Sequence, residues 1–171
     1  HALRLQAVGA LLKLGGSEYR PLLRTYLQQG ALPFRLLALE ALLDADTPPD
    51  ELRALLVERS WPTALRLRLL EYLAGDIAAA PMLHELLQSD DEPQLRALAA
   101  ESLGKLRWQE AAPTLISLAQ DANAQLVIRL RCIAAVCRLD TLAGWVAIGQ
   151  LAYDERQPSV IRDTALHMLY Q

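Results

Sequence analysis

Six arginines, each following an apolar residue, recur at a nearly constant interval along the chain, as Leu3-Arg4, Phe34-Arg35, Leu65-Arg66, Leu95-Arg96, Ile128-Arg129 and Ile161-Arg162, at spacings of 31, 31, 30, 33 and 33 residues. A period of this length, sustained from one end to the other, is the signature of small supersecondary units stacked in a row, each too small to bury its apolar face alone. Three residues after each arginine stand Ala7, Ala38, Leu69, Ala99, Cys132 and Ala165, and seven after it Leu11, Leu42, Leu73, Leu103, Val136 and Leu169. At about 100° per residue both sets share a helix face with the arginine, while the positions two, five and nine after it point the other way. Each copy therefore reads as an amphipathic helix whose cation faces inward.

Between consecutive arginine helices lies a second amphipathic segment, over 19–28, 50–58, 78–88, 110–120 and 141–152. The nine prolines fall at the joints: Pro33, Pro62, Pro93 and Pro158 just ahead of arginine helices, and Pro21, Pro48, Pro49, Pro81 and Pro113 near the start of the other type. Proline is tolerated in a first helical turn and costs about 3 kcal/mol in a helix interior, so it marks boundaries. Gly15-Gly16 reads as a helix stop. The expected architecture is all-α: one leading helix followed by five pairs, in one domain over residues 1–171. Both termini fall inside apolar-periodic segments, so the chain reads as a piece of a longer array.

The chain resembles the HEAT-repeat family, and within it the short-period bacterial HEAT-like repeats of the bilin-lyase type. The clearest copy is SDDEPQLRALAAESLGKLRWQEAAPTLISLAQD, residues 89 to 121. The resemblance implies a right-handed α-α superhelix with the arginine helices on its concave side. It also implies that each arginine pairs with an acid of the preceding turn: Asp90 or Asp91 with Arg96, Asp121 with Arg129, Asp154 with Arg162, and Glu58 in the same place for Arg66. Arg35 departs from this, since QQGALPF before it holds no acid. On that reading Arg96→Leu is nearly tolerated, whereas Asp121→Leu strands a buried cation at a cost of about 3 to 5 kcal/mol.

The chain is 53% hydrophobic but only 5% aromatic, so the apolar mass is Leu and Ala, both strong helix formers. A net charge of −3 lacks the excess of Lys and Arg that phosphate neutralisation requires, which argues against nucleic acid. The uncharged run 141–153 is shorter than the roughly 20 residues that span a bilayer, so a soluble, cytoplasmic protein is expected. Cys132 and Cys137 lie five apart on one helix, pointing about 140° from each other, and read as free thiols.

No Gly-rich phosphate loop, His/Cys metal spacing or H-E-x-x-H occurs. The related deoxyhypusine hydroxylases bind two irons through repeated His-Glu pairs; here His84-Glu85 stands alone, on the other helix type, and the arginine helix reads Ala100-Glu101. Neither a catalytic residue nor a cofactor is expected. What remains is a binding surface. Five residues after the arginine, Glu40, Glu71 and Glu101 form a column, with Asp44 one turn beyond Glu40, and Leu36, Leu37, Leu67, Arg68 and Leu98 flank it. That pattern points to a non-enzymatic scaffold or sensor module whose groove takes a basic or amphipathic segment of another protein. The solvated-face reading competes, because Glu101 also stands i,i+4 from Lys105. The alternative drawn from the resemblance is a bilin lyase or isomerase subunit holding a tetrapyrrole in the groove. Trp108 is expected to plug a bend between pairs.

Overall fold

A computed structural model of the chain describes residues 2–13, 16–45, 47–56, 58–89 and 92–170. Among them are eleven α-helices and no strand: α1 (Ala2–Lys13), α2 (Arg20–Gln29), α3 (Leu32–Leu43), α4 (Pro49–Leu56), α5 (Thr63–Leu73), α6 (Ala80–Ser89), α7 (Pro93–Lys105), α8 (Ala112–Gln120), α9 (Leu126–Leu139), α10 (Leu142–Tyr153) and α11 (Ser159–Leu169). This is the expected leading helix plus five pairs, an all-α solenoid class of fold. The prolines start helices as the sequence requires: Pro21, Pro33, Pro93 and Pro113 occupy the first or second helical position of α2, α3, α7 and α8, where no backbone donor is lost. Short 3₁₀ turns, Ser17–Tyr19, Ile77–Ala79 and Gln109–Ala111, lead into α2, α6 and α8.

The chain divides into two compact units, residues 1–72 and 73–171. In the first, α3 packs against both α1 and α2. In the second, the arginine helices lie against one another in order, α7 on α9 on α11, and α8 also packs on α10. The predicted inward face is buried wherever such neighbours exist: Ala38, Leu42, Leu69, Leu73, Ala99, Leu103, Cys132, Val136 and Ala165 are all 1% exposed or less. Leu169, near the end of α11, is only half-buried, and the leading helix departs further. Ala7 and Leu11 are exposed, and Leu5, Val8 and Leu12 are buried instead. Within its unit α1 has a stacking neighbour on one side only, so the edge of its apolar stripe turned toward α3 is the edge that is covered.

Helix ends use both expected and unexpected devices. Gly16 N–H bonds the Leu11 carbonyl at 3.0 Å; Gly15 lies outside the described residues. The end of α7 is a Schellman motif, with Trp108 N–H on Leu103 O at 3.1 Å and Arg107 N–H on Gly104 O at 3.1 Å. Its left-handed position, normally glycine, is filled by Arg107 at φ 52°. Asp140 closes α9 at φ 54° and accepts Trp145 Nε1 at 2.8 Å. Trp108 does lie at a bend, with its ring edge-on to His84 at 5.2 Å between centroids. Cys132 is buried and Cys137 half-buried, both free thiols.

Candidate functional site

The inward arginines meet carbonyls. Arg66 and Arg129 are 3% exposed and Arg96 is half-buried. Arg66 Nε donates to Leu56 O at 3.4 Å, Arg96 Nε to Leu87 O at 2.8 Å and Arg129 Nε to Ala119 O at 3.0 Å. Each acceptor lies in the last turn of the preceding helix, α4, α6 or α8. Those carbonyls have no intrahelical donor and carry the negative end of the helix dipole, so a guanidinium there satisfies an orphan acceptor in a favourable field. Arg129 also reaches forward, donating from Nη2 to Gln157 Oε1 at 2.6 Å.

The acids assigned to this ladder serve their own turns. Asp121 Oδ1 accepts Asn123 N–H at 2.9 Å, and makes no ion pair with Arg129. Asp154 Oδ1 accepts Arg156 N–H at 3.1 Å and Arg156 Nε at 3.0 Å, while its Oδ2 takes Gln157 Nε2 at 3.1 Å. These contacts, Arg156 first, hold the Asp154 carboxyl at about 2. Glu58 turns to Ser60, accepting its hydroxyl at 2.8 Å and its N–H at 3.3 Å. An aspartate at a turn finds the N–H two residues on with almost no chain to order, and that local bond wins over a longer reach to a cation that already has a carbonyl. Arg162 Nε is buried without a hydrogen-bond partner, and the Asp154 oxygens expected to meet this arginine bond Arg156 and Gln157 instead. Arg35 Nε is likewise unbonded, and its guanidinium carbon sits 5.7 Å from the centre of the Trp61 ring. Asp90, Asp91 and the Arg4 side chain lie outside the described residues.

The outward positions carry the charge. In the first unit Arg68 holds Glu40 with two bonds, Nε to Oε1 at 2.5 Å and Nη2 to Oε2 at 2.9 Å. Those bonds first, then the field of Glu40, Glu71 and Asp44, keep the Arg68 cation firmly charged. Glu71 is exposed and makes no ion pair among the described residues. Between α1 and α3 runs an open groove of 260 Å³, lined by Leu5, Gly9, Ala10, Leu37 and Ala41 and edged by Glu40 and Asp44. It is narrow at one point, where a Cβ on Gly9 would stand 3.0 Å from the Ala41 Cβ.

The second unit differs. Glu101 is straddled by Lys105, whose Nζ lies 2.8 Å from Oε1, and by Arg131 of the next arginine helix, whose Nη1 lies 2.9 Å from Oε2. The Lys105 bond first, then the charges of Lys105, Arg131 and Arg138, hold its carboxyl below the usual range. The expected acidic column is therefore interrupted here by cations. Sequence reasoning missed Arg131 and Arg138, although the register contained them: Arg131 stands two residues after its arginine, as Arg68 does, and Arg138 nine after its own, as Lys105 does. Leu98 is half-buried beside this cluster.

His84 lies half-buried on the other helix layer, its Nε2 2.8 Å from Thr114 Oγ1 and 3.1 Å from Gln88 Nε2. Among the described residues no three His, Cys, Asp or Glu side chains come together as a metal site would need, and no helix is long and apolar enough to cross a membrane.

No curated protein matches the sequence. Among solved structures, human deoxyhypusine hydroxylase in complex with glycerol is similar at 22% identity with a TM-score of 0.61, over 98% of this chain. The chain spans 66% of that one's length, and at this identity the likeness is one of fold. It corrects the expectation that the chain is not an enzyme: a fold shared over nearly all of the chain with an enzyme means that the missing motifs do not exclude catalysis. A family model for HEAT repeats matches residues 49–136, just over half of the 171. The arginine period, the stacked helical pairs and this match agree, and the chain belongs to the HEAT-repeat family.

Proposed function

We propose that the chain is a protein-recognition module that uses the outward face of its arginine helices, and that its first unit takes a basic, amphipathic segment. The observation that carries this reading is the groove between α1 and α3. Its floor of Gly9, Ala10 and Ala41 is flat enough for an aliphatic side chain, and Glu40 and Asp44 stand along its edge. A lysine or arginine of the partner would meet those carboxylates while its neighbouring apolar residue displaces water from Leu5 and Leu37. Glu71 adds a third acid at the helix position of Glu40, and Arg68 is the cation bonded to Glu40.

The test is fluorescence anisotropy with a labelled helical peptide of alternating Lys and Leu faces. The double variant Asp44→Lys, Glu71→Lys leaves the Glu40–Arg68 pair in place. Binding that weakens tenfold or more in this variant, and weakens with salt in the wild type, supports the reading. Equal binding by both proteins, or none by the wild type, rejects it.

A further inference from the structure

We infer that the α7–α9 face of the second unit is a separate docking surface for an acidic, extended polypeptide segment, held by Lys105, Arg131 and Arg138. The three cations come from two helices that are locked together at close range. A Cβ on Gly104 would stand 2.7 Å from the Ala135 Cα, so α7 and α9 approach to a distance that a side chain would forbid. This approach brings Glu101 of α7 between its own Lys105 and Arg131 of α9. Both carboxylate oxygens are taken, one by each cation.

One buried-side carboxylate against three cations leaves the face positive. The Lys105 and Arg131 side chains are 55% and 53% exposed, so their remaining donors face water. Arg138 is exposed and makes no ion pair among the described residues. Glu101 thus positions the cluster without cancelling it. Ala134, half-buried between Arg131 and Arg138 on α9, offers a small apolar step at its centre.

The geometry selects the occupant. Arg131 and Arg138 are two helical turns apart, about 10 Å along the axis at 1.5 Å per residue. A segment in the extended polyproline II conformation rises about 3.1 Å per residue with three residues per turn, so acids at i and i+3 stand on one face about 9 Å apart and meet the two guanidiniums. Guanidinium forks suit carboxylates of this kind bidentately. A nucleic acid would need more phosphates neutralised than three cations supply, and it would meet a chain whose net charge is −3. This face is opposite in sign to the groove of the first unit, and its occupancy does not depend on that groove.

The test uses the full chain and two labelled probes: an extended 12-residue peptide with Glu at every third position, and the basic amphipathic peptide. Wild type should bind the acidic probe with an affinity that falls at least tenfold between 50 and 300 mM salt. Arg138→Glu, at an exposed and unpaired position, should weaken that binding tenfold or more while leaving the basic probe unaffected. The further variant Lys105→Gln should weaken it less, because it also loosens Glu101. No binding of the acidic probe, unchanged binding by Arg138→Glu, or competition by duplex DNA at lower concentration than by unlabelled peptide would each overturn the inference.

Discussion

Gly104 lies in the last turn of α7 and Gly149 inside α10, and the same substitution at each should have different consequences. Glycine in a helix interior costs about 1 kcal/mol relative to alanine, so each Gly→Ala change starts from that gain. At Gly149 a new Cβ meets nothing within 4 Å, and the gain stands unopposed. At Gly104 it meets the Ala135 Cα at 2.7 Å and Cβ at 2.8 Å, about 0.7 Å inside the 3.4 Å at which ordinary contact begins. Neither atom is the end of a flexible side chain. The helices must part, loosening the seam where Ala100 and Leu103 meet their neighbours, and overpacking of this kind costs about 1–3 kcal/mol. Gly149→Ala should therefore stabilise by about 0.5–1 kcal/mol, and Gly104→Ala should fall below it by about 1–3 kcal/mol. For a chain of this size each kcal/mol moves Tm by about 2–4 °C. Thermal and urea denaturation of both variants measure the gap. Equal stabilisation by the two would refute the close α7–α9 approach, and with it the geometry that gathers Lys105, Glu101 and Arg131.

Asp121→Ala removes an exposed Asx-turn bond and should cost about 0.5–1 kcal/mol in urea denaturation; a loss of 3 kcal/mol or more would restore the Asp121–Arg129 pair. Arg107→Gly relieves a left-handed arginine at φ 52° and should raise stability by about 1 kcal/mol in thermal denaturation; a loss of stability would contradict the Schellman end of α7. The Glu101 carboxyl is depressed by its cations, so its stabilisation is present above about pH 4.5 and lost as pH falls below the usual carboxylate range. Lys105→Met should reduce that acid-side loss in a pH series of melts, and an unchanged acid limb would contradict the pairing. Burial pushes the Cys132 thiol up to about 12 and Cys137 to about 11. Their neutral forms add stability below the ordinary thiol range, lost as pH rises through those values, and at pH 8 Ellman's reagent should label the native chain at least tenfold more slowly than the unfolded one.

The periodic arginine, the proline joints and the alternation of faces were all legible in the sequence, because each is a local property of one helix or one turn. Among the described residues eleven helices followed in the expected order. The register also predicted that the first copy would bury Ala7 and Leu11; it buries Leu5, Val8 and Leu12, because which edge of a stripe is covered depends on where the neighbour lies.

What the arginines and the surface acids bond to was decided by the stacking. Glu40 meets Arg68 28 residues on, Arg129 reaches Gln157 at the same separation, and Glu101 meets Arg131 30 residues on. No helical wheel relates such positions; only packing one repeat against the next does. The same holds for the exchange of carboxylate for carbonyl at Arg129, where Asp121 bonds the N–H two residues on and Arg129 bonds the Ala119 carbonyl. Period and face are written in single helices, whereas charge pairing is written between them, at distances along the chain that sequence spacing does not convert into distances in space.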